Sequence, residues 1–225
     1  ISYGLFTTIG MDPIVSVLIS MPAMFLLGIV LYRLLFSQIA ESPRQRELSV
    51  LLTFALALIV EGTLAWRFTG TYRTTNPPYT TAALIFEPFY LPQGQFYATI
   101  MSVVLILLLL LFLQFSRVGY AIRATMQNRT AAQVVGVNVG RISLLAFGIG
   151  MALSGASGSL MSFLFTFYPG KHWEWIAILL SLIVLGGMGS LMGALIGAFV
   201  LAIAASFVSF HLGPTWSPIT FFLAL

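Results

Sequence analysis

Residues 97–115 read YATIMSVVLILLLLLFLQF, without a charged side chain anywhere in the run. A helix over that stretch is long enough to cross the hydrocarbon core of a bilayer, which takes roughly 20 apolar residues. Outward from it, residues 13–32 are also uncharged and of spanning length, and Pro22 is tolerable there because neighbouring helices can satisfy the carbonyl it frees. Residues 48–66 give another span, with a single ionisable side chain at Glu61. Residues 142–165 give a fourth, rich in Gly, Ala and Ser, a composition that implies close helix packing. Residues 175–210 are uncharged over a length sufficient for two crossings and are broken at Gly186-Gly187-Met188-Gly189-Ser190. The arm before that break is short, so a re-entrant half-helix is the alternative to a full span. A last apolar run opens at Pro218.

Composition agrees with this count. Of 225 residues, 59% are hydrophobic and 7% charged, whereas soluble domains carry roughly a quarter charged residues. So few charges cannot cover a water-soluble surface. The expected fold is all-α, a polytopic transmembrane helix bundle of about six to seven spans, forming one domain over residues 1–225. The chain starts without Met and stops inside an apolar run, so both ends are expected to be truncated. Residues 1–12 lack the basic start and small-residue cleavage site of a signal peptide. The absence of cysteine excludes disulfides, thiolate metal sites and thiol catalysis.

A net charge of +4 would suggest nucleic acid in a soluble protein, but here the basic residues sit between apolar runs and report orientation instead. Loop 33–47 carries Arg33, Arg44 and Arg46, and loop 116–141 carries Arg117, Arg123, Arg129 and Arg141; the opposite side has Arg67, Arg73 and Lys171. The positive-inside rule puts the two arginine-rich loops in the cytoplasm. Segments 67–96 and 166–174 then face outside, where Trp66, Tyr72, Tyr79, Tyr90, Tyr168 and Trp173 fit an interfacial aromatic belt.

The segment 117–141, RVGYAIRATMQNRTAAQVVGVNVGR, has four arginines and no acid. Val118, Ala121, Ile122, Thr125 and Met126 share a helical face, followed by Ala131, Ala132 and Val135, and Gly136 stands where a helix C-cap is wanted. This predicts a short surface helix at the membrane face, either docking on a cytoplasmic partner or serving as an ordinary positive loop. In the fourth span Ser154, Gly155, Ser157 and Gly158 form a small-residue face, and Gly189, Gly193 and Gly197 repeat the four-residue spacing later. Gly158 and the later stripe read as helix packing; Ser154, Gly155 and Ser157 are candidates to line a passage.

Glu61 is the one carboxylate well inside an apolar run, a candidate for the passage, against which stands its closeness to Arg67 and the outer interface. Asp12, Glu87 and Glu174 read as solvated. His172 and His211 have no partners at metal-ligand spacing, so no metal or cofactor is expected. No glycine loop with a following lysine is present to hold ATP.

AIRATMQNRTAAQVVGVNVGRISLLAFGIGMALSGASGSL, residues 121–160, resembles the region after the third span in permease subunits of bacterial ABC importers for branched-chain amino acids. Leu51-Leu52-Thr53-Phe54, Gly186 to Ser190 and Gly193-Ala194 carry the resemblance from about residue 48 to about residue 200. In such importers a coupling loop of Glu-Ala-Ala, three residues, then Gly docks on the ATPase. Thr130, Ala131, Ala132 and Gly136 occupy that spacing, with Thr130 in place of the glutamate and Ala146 where the downstream Ile-x-Leu-Pro would begin. The resemblance implies a multi-pass permease of the bacterial inner membrane, not itself an enzyme. Arg123, Arg129, Thr130, Ala131, Ala132 and Gly136 would meet cytoplasmic ATPase subunits. A second permease subunit and an external solute-binding protein would complete the importer, and the cargo would be branched-chain or related small amino acids or amides. The alternative from a different class is an ATP-independent carrier or channel; it is disfavoured by the near absence of charge at mid-membrane.

Overall fold

The computed structural model describes residues 1–39, 42, 44–80, 83–86, 89–187 and 189–224, with the backbone alone at Arg46, 83–86, 89 and 90. Glu87, Met188 at the expected break, and the Tyr90 side chain lie outside the described residues. The chain divides into two compact units, residues 1–67 with 71–167 and residues 68–70 with 168–225.

The first unit opens with α1 (Ser2–Ile9) and α2 (Pro13–Leu31). Asp12 starts α2 by accepting the Ile14 N–H at 2.9 Å, and Pro13 follows in the first turn, where its missing N–H costs nothing. The helix does not end at Tyr32, as hydropathy alone implies. It continues through a π-helical turn, Tyr32–Phe36, into α3 (Ser37–Ile39), and Arg33 is therefore helical. Then come α4 (Gln45–Phe68), α5 (Gln93–Phe115), α6 (Arg117–Gln127), α7 (Arg129–Val134) and α8 (Val139–Leu164). Between α4 and α5, β1 (Ala83–Phe86) and β2 (Phe89–Pro92) form an antiparallel hairpin pairing Ala83 with Pro92 and Phe86 with Phe89. The sequence reading did not foresee this hairpin or α1, both too short to register as apolar spans.

The second unit holds α9 (His172–Gly186), α10 (Leu191–Leu212) and α11 (Ser217–Leu223). Five helices among the described residues are long and apolar enough to cross a membrane: Pro13–Ile39, Glu47–Phe68, Gln93–Phe115, Val139–Leu164 and Leu191–Leu212. The 15 residues of α9 reach only about 22 Å at 1.5 Å per residue, short of the hydrocarbon thickness. That is why the long-span count falls below six, and it matches the half-helix alternative in length.

Small residues decide the packing in both units. Antiparallel α2 and α8 meet where a Cβ on Gly28 would stand 2.9 Å from Met151 Cβ and 3.2 Å from Gly148 Cα, and one on Gly155 would stand 2.9 Å from the Ser20 carbonyl. Beside this contact Val17, Ala98, Ala156, Leu160 and Phe163 form a buried cluster. In the second unit a Cβ on Gly193 would collide with the Gly186 carbonyl, and one on Gly197 would lie 3.2 Å from the Gly186 nitrogen. Gly189 departs from the expected packing stripe: with φ +91° it belongs to the turn, and Ser190 starts α10 by accepting the Gly193 N–H at 2.9 Å.

Asp12 and Glu174, both expected to be solvated, differ in their surroundings. Glu174 is exposed and pairs with Lys171. Asp12, by contrast, is half-buried and tied: besides capping α2 it accepts the Tyr79 hydroxyl at 2.7 Å. Tyr79 stands edge-on to Tyr97 and Phe163, 5.6 and 5.7 Å between ring centres, packed among helices where an interfacial position is expected, while Trp66 and Tyr72 are exposed. Burial, then the hydrogen bond and charge of Asp12, hold the Tyr79 phenol well above the ordinary tyrosine value.

Gly28→Val should cost about 1–3 kcal/mol, the usual penalty of overpacking, read as thermal unfolding in detergent. Gly62→Ala on α4, where an added Cβ meets nothing, should cost nothing. Because the folded-state pKa of Tyr79 is raised, its contribution to stability is full below the ordinary value of about 10 and is lost as pH rises beyond it. Tyr79→Phe should therefore lose about 1 kcal/mol at neutral pH yet leave the phenolate absorbance of the folded protein at about pH 11 unchanged.

Candidate functional site

Two places in the first unit gather the residues that composition and spacing single out. One is a cavity of about 380 Å³ lined from α1, α2 and α8. Five serines reach it, Ser2, Ser20, Ser154, Ser159 and Ser162, with Met24 and Met161 supplying apolar wall. No acidic or basic side chain is among its lining residues.

The serines are ordered by bonds that run along and between the helices. Ser20 and Ser159 share a hydrogen bond of 2.8 Å across the α2–α8 contact. Ser16 donates to Ser2 at 2.7 Å, and Ser162 donates to the Ser159 carbonyl at 2.7 Å. The outer segment joins the same seam: the Thr75 N–H donates to the Ser162 carbonyl at 3.0 Å, and the Thr75 and Ser162 hydroxyls lie 3.2 Å apart. Arg73 and Phe167 form a β-bridge beside it. Ser159 lies five residues inside the end of α8 and Ser20 seven inside the start of α2, about 8–10 Å along the axes. The chamber thus occupies the half of the helix pair remote from Arg33 and Arg141.

Of the candidates for a passage, Ser154 and Gly155 line this chamber, and Ser157 does not. Ser157 turns to a separate apolar groove with Ser102 and leucines of α5 and α8. Glu61, on α4, is not among the chamber's lining residues. Gly158 also departs from expectation. Assigned to helix packing by its spacing, it lines the chamber, and a Cβ there would meet nothing within 4 Å. The sequence reading missed Ser2, Ser20, Ser159 and Ser162. The pair Ser16 and Ser20, one turn apart in an otherwise apolar span, was the available signal.

The second place is the arginine-rich step between α5 and α8. The segment expected as one surface helix is two, because Asn128 takes extended backbone and restarts the chain, its side chain accepting the Ala131 N–H at 3.0 Å. Ser116 starts α6 by accepting the Gly119 N–H at 2.8 Å, and Asn138 starts α8 through the Arg141 N–H at 3.0 Å. Gly136, at φ +86°, closes α7: its N–H bonds the Gln133 carbonyl and that of Val137 the Ala132 carbonyl, both at 3.0 Å. That double bond pattern requires the left-handed residue glycine supplies.

The candidate coupling residues divide by direction. Ala132 is 3% exposed and packs inward, which corrects the expectation that it offers itself to another protein. Arg129, Thr130 and Ala131 are exposed, next to Val134 and Val135 at 84% and 76% exposure. Arg129 donates to the Gln45 side chain at 3.3 Å. Arg123 bends back, its guanidinium 4.8 Å over the Tyr120 ring. A turn with two exposed valines beside the exposed Arg129 offers apolar contact next to a positive charge.

Comparison with known proteins agrees with these features. The family model described as the branched-chain amino acid transport system permease component matches residues 2–224. The probable branched-chain amino acid transport permease protein LivH of Methanocaldococcus jannaschii is 25% identical over 205 residues, covering 86% of this chain and 64% of the relative. The high-affinity branched-chain amino acid transport system permease protein LivH of Escherichia coli is 32% identical over 131 residues, 56% of this chain and 41% of the relative. BraD of Pseudomonas aeruginosa, of the same description, is 33% identical over 100 residues, 44% of this chain and 33% of its own. The chain thus spans under two thirds of the length of the relatives it matches. No solved structure matches it. Matched over nearly its whole length and built of long apolar helices around an arginine-rich step, this multi-pass membrane protein belongs to the family of branched-chain amino acid transport system permease components.

Proposed function

We propose that the chain is the permease subunit of an ATP-driven importer that moves branched-chain or related small amino acids or amides across the plasma membrane by alternating access. The observation that carries this reading is the α6–α7 step: Thr130, Ala131, Val134 and Val135 stand exposed on a turn fixed at both ends by side-chain and glycine caps. A partner gripping such a turn moves α5 and α8 with it, because the caps leave no slack between contact and span. ATP hydrolysis belongs to a separate ATPase subunit docked there. A second permease subunit and an external solute-binding protein complete the assembly, and the serine chamber lies on the solute's way. Net charge of +4 carried by the step and its neighbours serves orientation and docking.

The test is reconstitution of the full-length protein in proteoliposomes with candidate ATPase and binding-protein partners. ATP-dependent uptake of L-leucine is expected; solute movement that needs no ATP overturns the reading in favour of a carrier or channel. Single cysteines at Ala131 and Val134 should cross-link to the ATPase, and one at the inward-facing Ala132 should not. Val134→Asp combined with Val135→Asp should abolish both capture of the ATPase and uptake, with the thermal unfolding of the permease itself unchanged, since both positions are exposed.

A further inference from the structure

The chamber has more chemistry than a passage requires. Hydroxyls both donate and accept, so a serine wall can meet an ammonium, a carboxylate or an amide alike. With no acidic or basic side chain among the lining residues, a solute bearing net charge would give up water there without a counter-ion, which is costly. A net-neutral molecule with a polar end loses little. Met24 and Met161 give the same cavity an adaptable apolar wall, and about 380 Å³ lies within the range of small-molecule clefts, roughly 300–1,000 Å³. Ser154 donates to the Gly150 carbonyl of its own helix at 3.1 Å, which leaves its oxygen as an acceptor toward the cavity.

Gly158 adds an independent observation. Glycine inside a helix costs roughly 0.5–1 kcal/mol relative to alanine, and at Gly155 that cost has a reason, since a Cβ would press within 2.7 Å of Met24 Cγ and 2.9 Å of the Ser20 carbonyl. At Gly158 no neighbour lies within 4 Å of the added Cβ, and the residue lines the chamber. Packing does not demand a glycine there, and an added methyl group would stand in the open space of the chamber.

We propose that the serine-walled chamber of α1, α2 and α8 is a transit site for a net-neutral solute with one polar and one compact apolar end, and that Gly158 sets how large the apolar end can be. This rests on the permease reading above. The chain has no cysteine, so an introduced thiol is unique within it. In the reconstituted, full-length importer, Gly158→Cys should react with a small uncharged, hydrophilic methanethiosulfonate reagent at least about tenfold faster than Ser157→Cys, which lines the apolar groove, and L-leucine should slow the reaction. In Gly158→Ala and Gly158→Val, uptake of L-leucine should fall relative to that of L-alanine, about tenfold for valine, the scale at which a pocket senses one methylene. Equal thiol reactivity at 157 and 158, or equal loss of both solutes with unprotected thiols, overturns the assignment. Failure of the unsubstituted protein to take up either solute with ATP overturns the permease reading itself, and the assignment falls with it.

Discussion

The α2–α8 contact is the interaction on which the first unit depends. Lipid tails are as apolar as leucine, so burying leucine between helices gains little in a membrane; association has to come from close packing and from hydrogen bonds across the interface. This pair uses both. Gly28, Gly148 and Gly155 bring the backbones near enough that a methyl group would not fit, and Ser20 with Ser159 adds a bond of 2.8 Å between the helices. Three features of the first unit hang from this pair. The chamber opens beside it, the Thr75 segment is fastened to Ser162 at one end of it, and α6 and α7 lead into the other.

The two ends of the pair are built differently. Toward the arginine-rich side, Tyr32, Phe36 and Phe147 cluster with ring centres 5.0–6.3 Å apart, at the place where α2 adopts its π-helical turn. Such turns hold one residue more than the helix register allows and tend to sit at functional positions. On the other side the interface is serine and glycine, with a cavity where large side chains would interdigitate. One end is thus closed by aromatic rings, whereas the other sets a serine-lined cavity beside the Tyr79–Phe163 contact.

Hydropathy made the long spans legible, since an uncharged run such as 97–115 has few alternatives, and the arginines at 33, 117, 123, 129 and 141 marked the side on which the helix ends gather. Direction around a helix was not legible in the same way. In a lipid-embedded helix both faces are apolar, so nothing in the pattern separates Ser154, which lines the chamber, from Ser157, which turns to the groove. Spacing read Gly158 as packing because the partner surface was unknown; only the empty volume around it shows otherwise. The break at Asn128 was hidden for a local reason, that an asparagine side chain can replace one backbone partner at a helix start without disturbing the apolar periodicity. Ala132 likewise has the size suited to an exposed contact and to a buried one, and its 3% exposure is a fact of how α7 folds against its neighbours.

A transporter that alternates between two openings needs helices with more than one acceptable packing, whereas close-packed interiors tend to have one. The composition of the α2–α8 interface suits that demand. A glycine surface imposes no side-chain lock, a hydroxyl can exchange one acceptor for another a turn away, and the Ser20–Ser159 and Thr75–Ser162 bonds are each of a kind worth only about 0.5–1.5 kcal/mol net. An ion pair at the same depth would bind more tightly and move less, because separating two charges in low dielectric is costly. On the permease reading proposed above, hydroxyls in place of charge would serve both tasks at once: a neutral solute would meet no trap, and the helices around it would be free to exchange one arrangement for another.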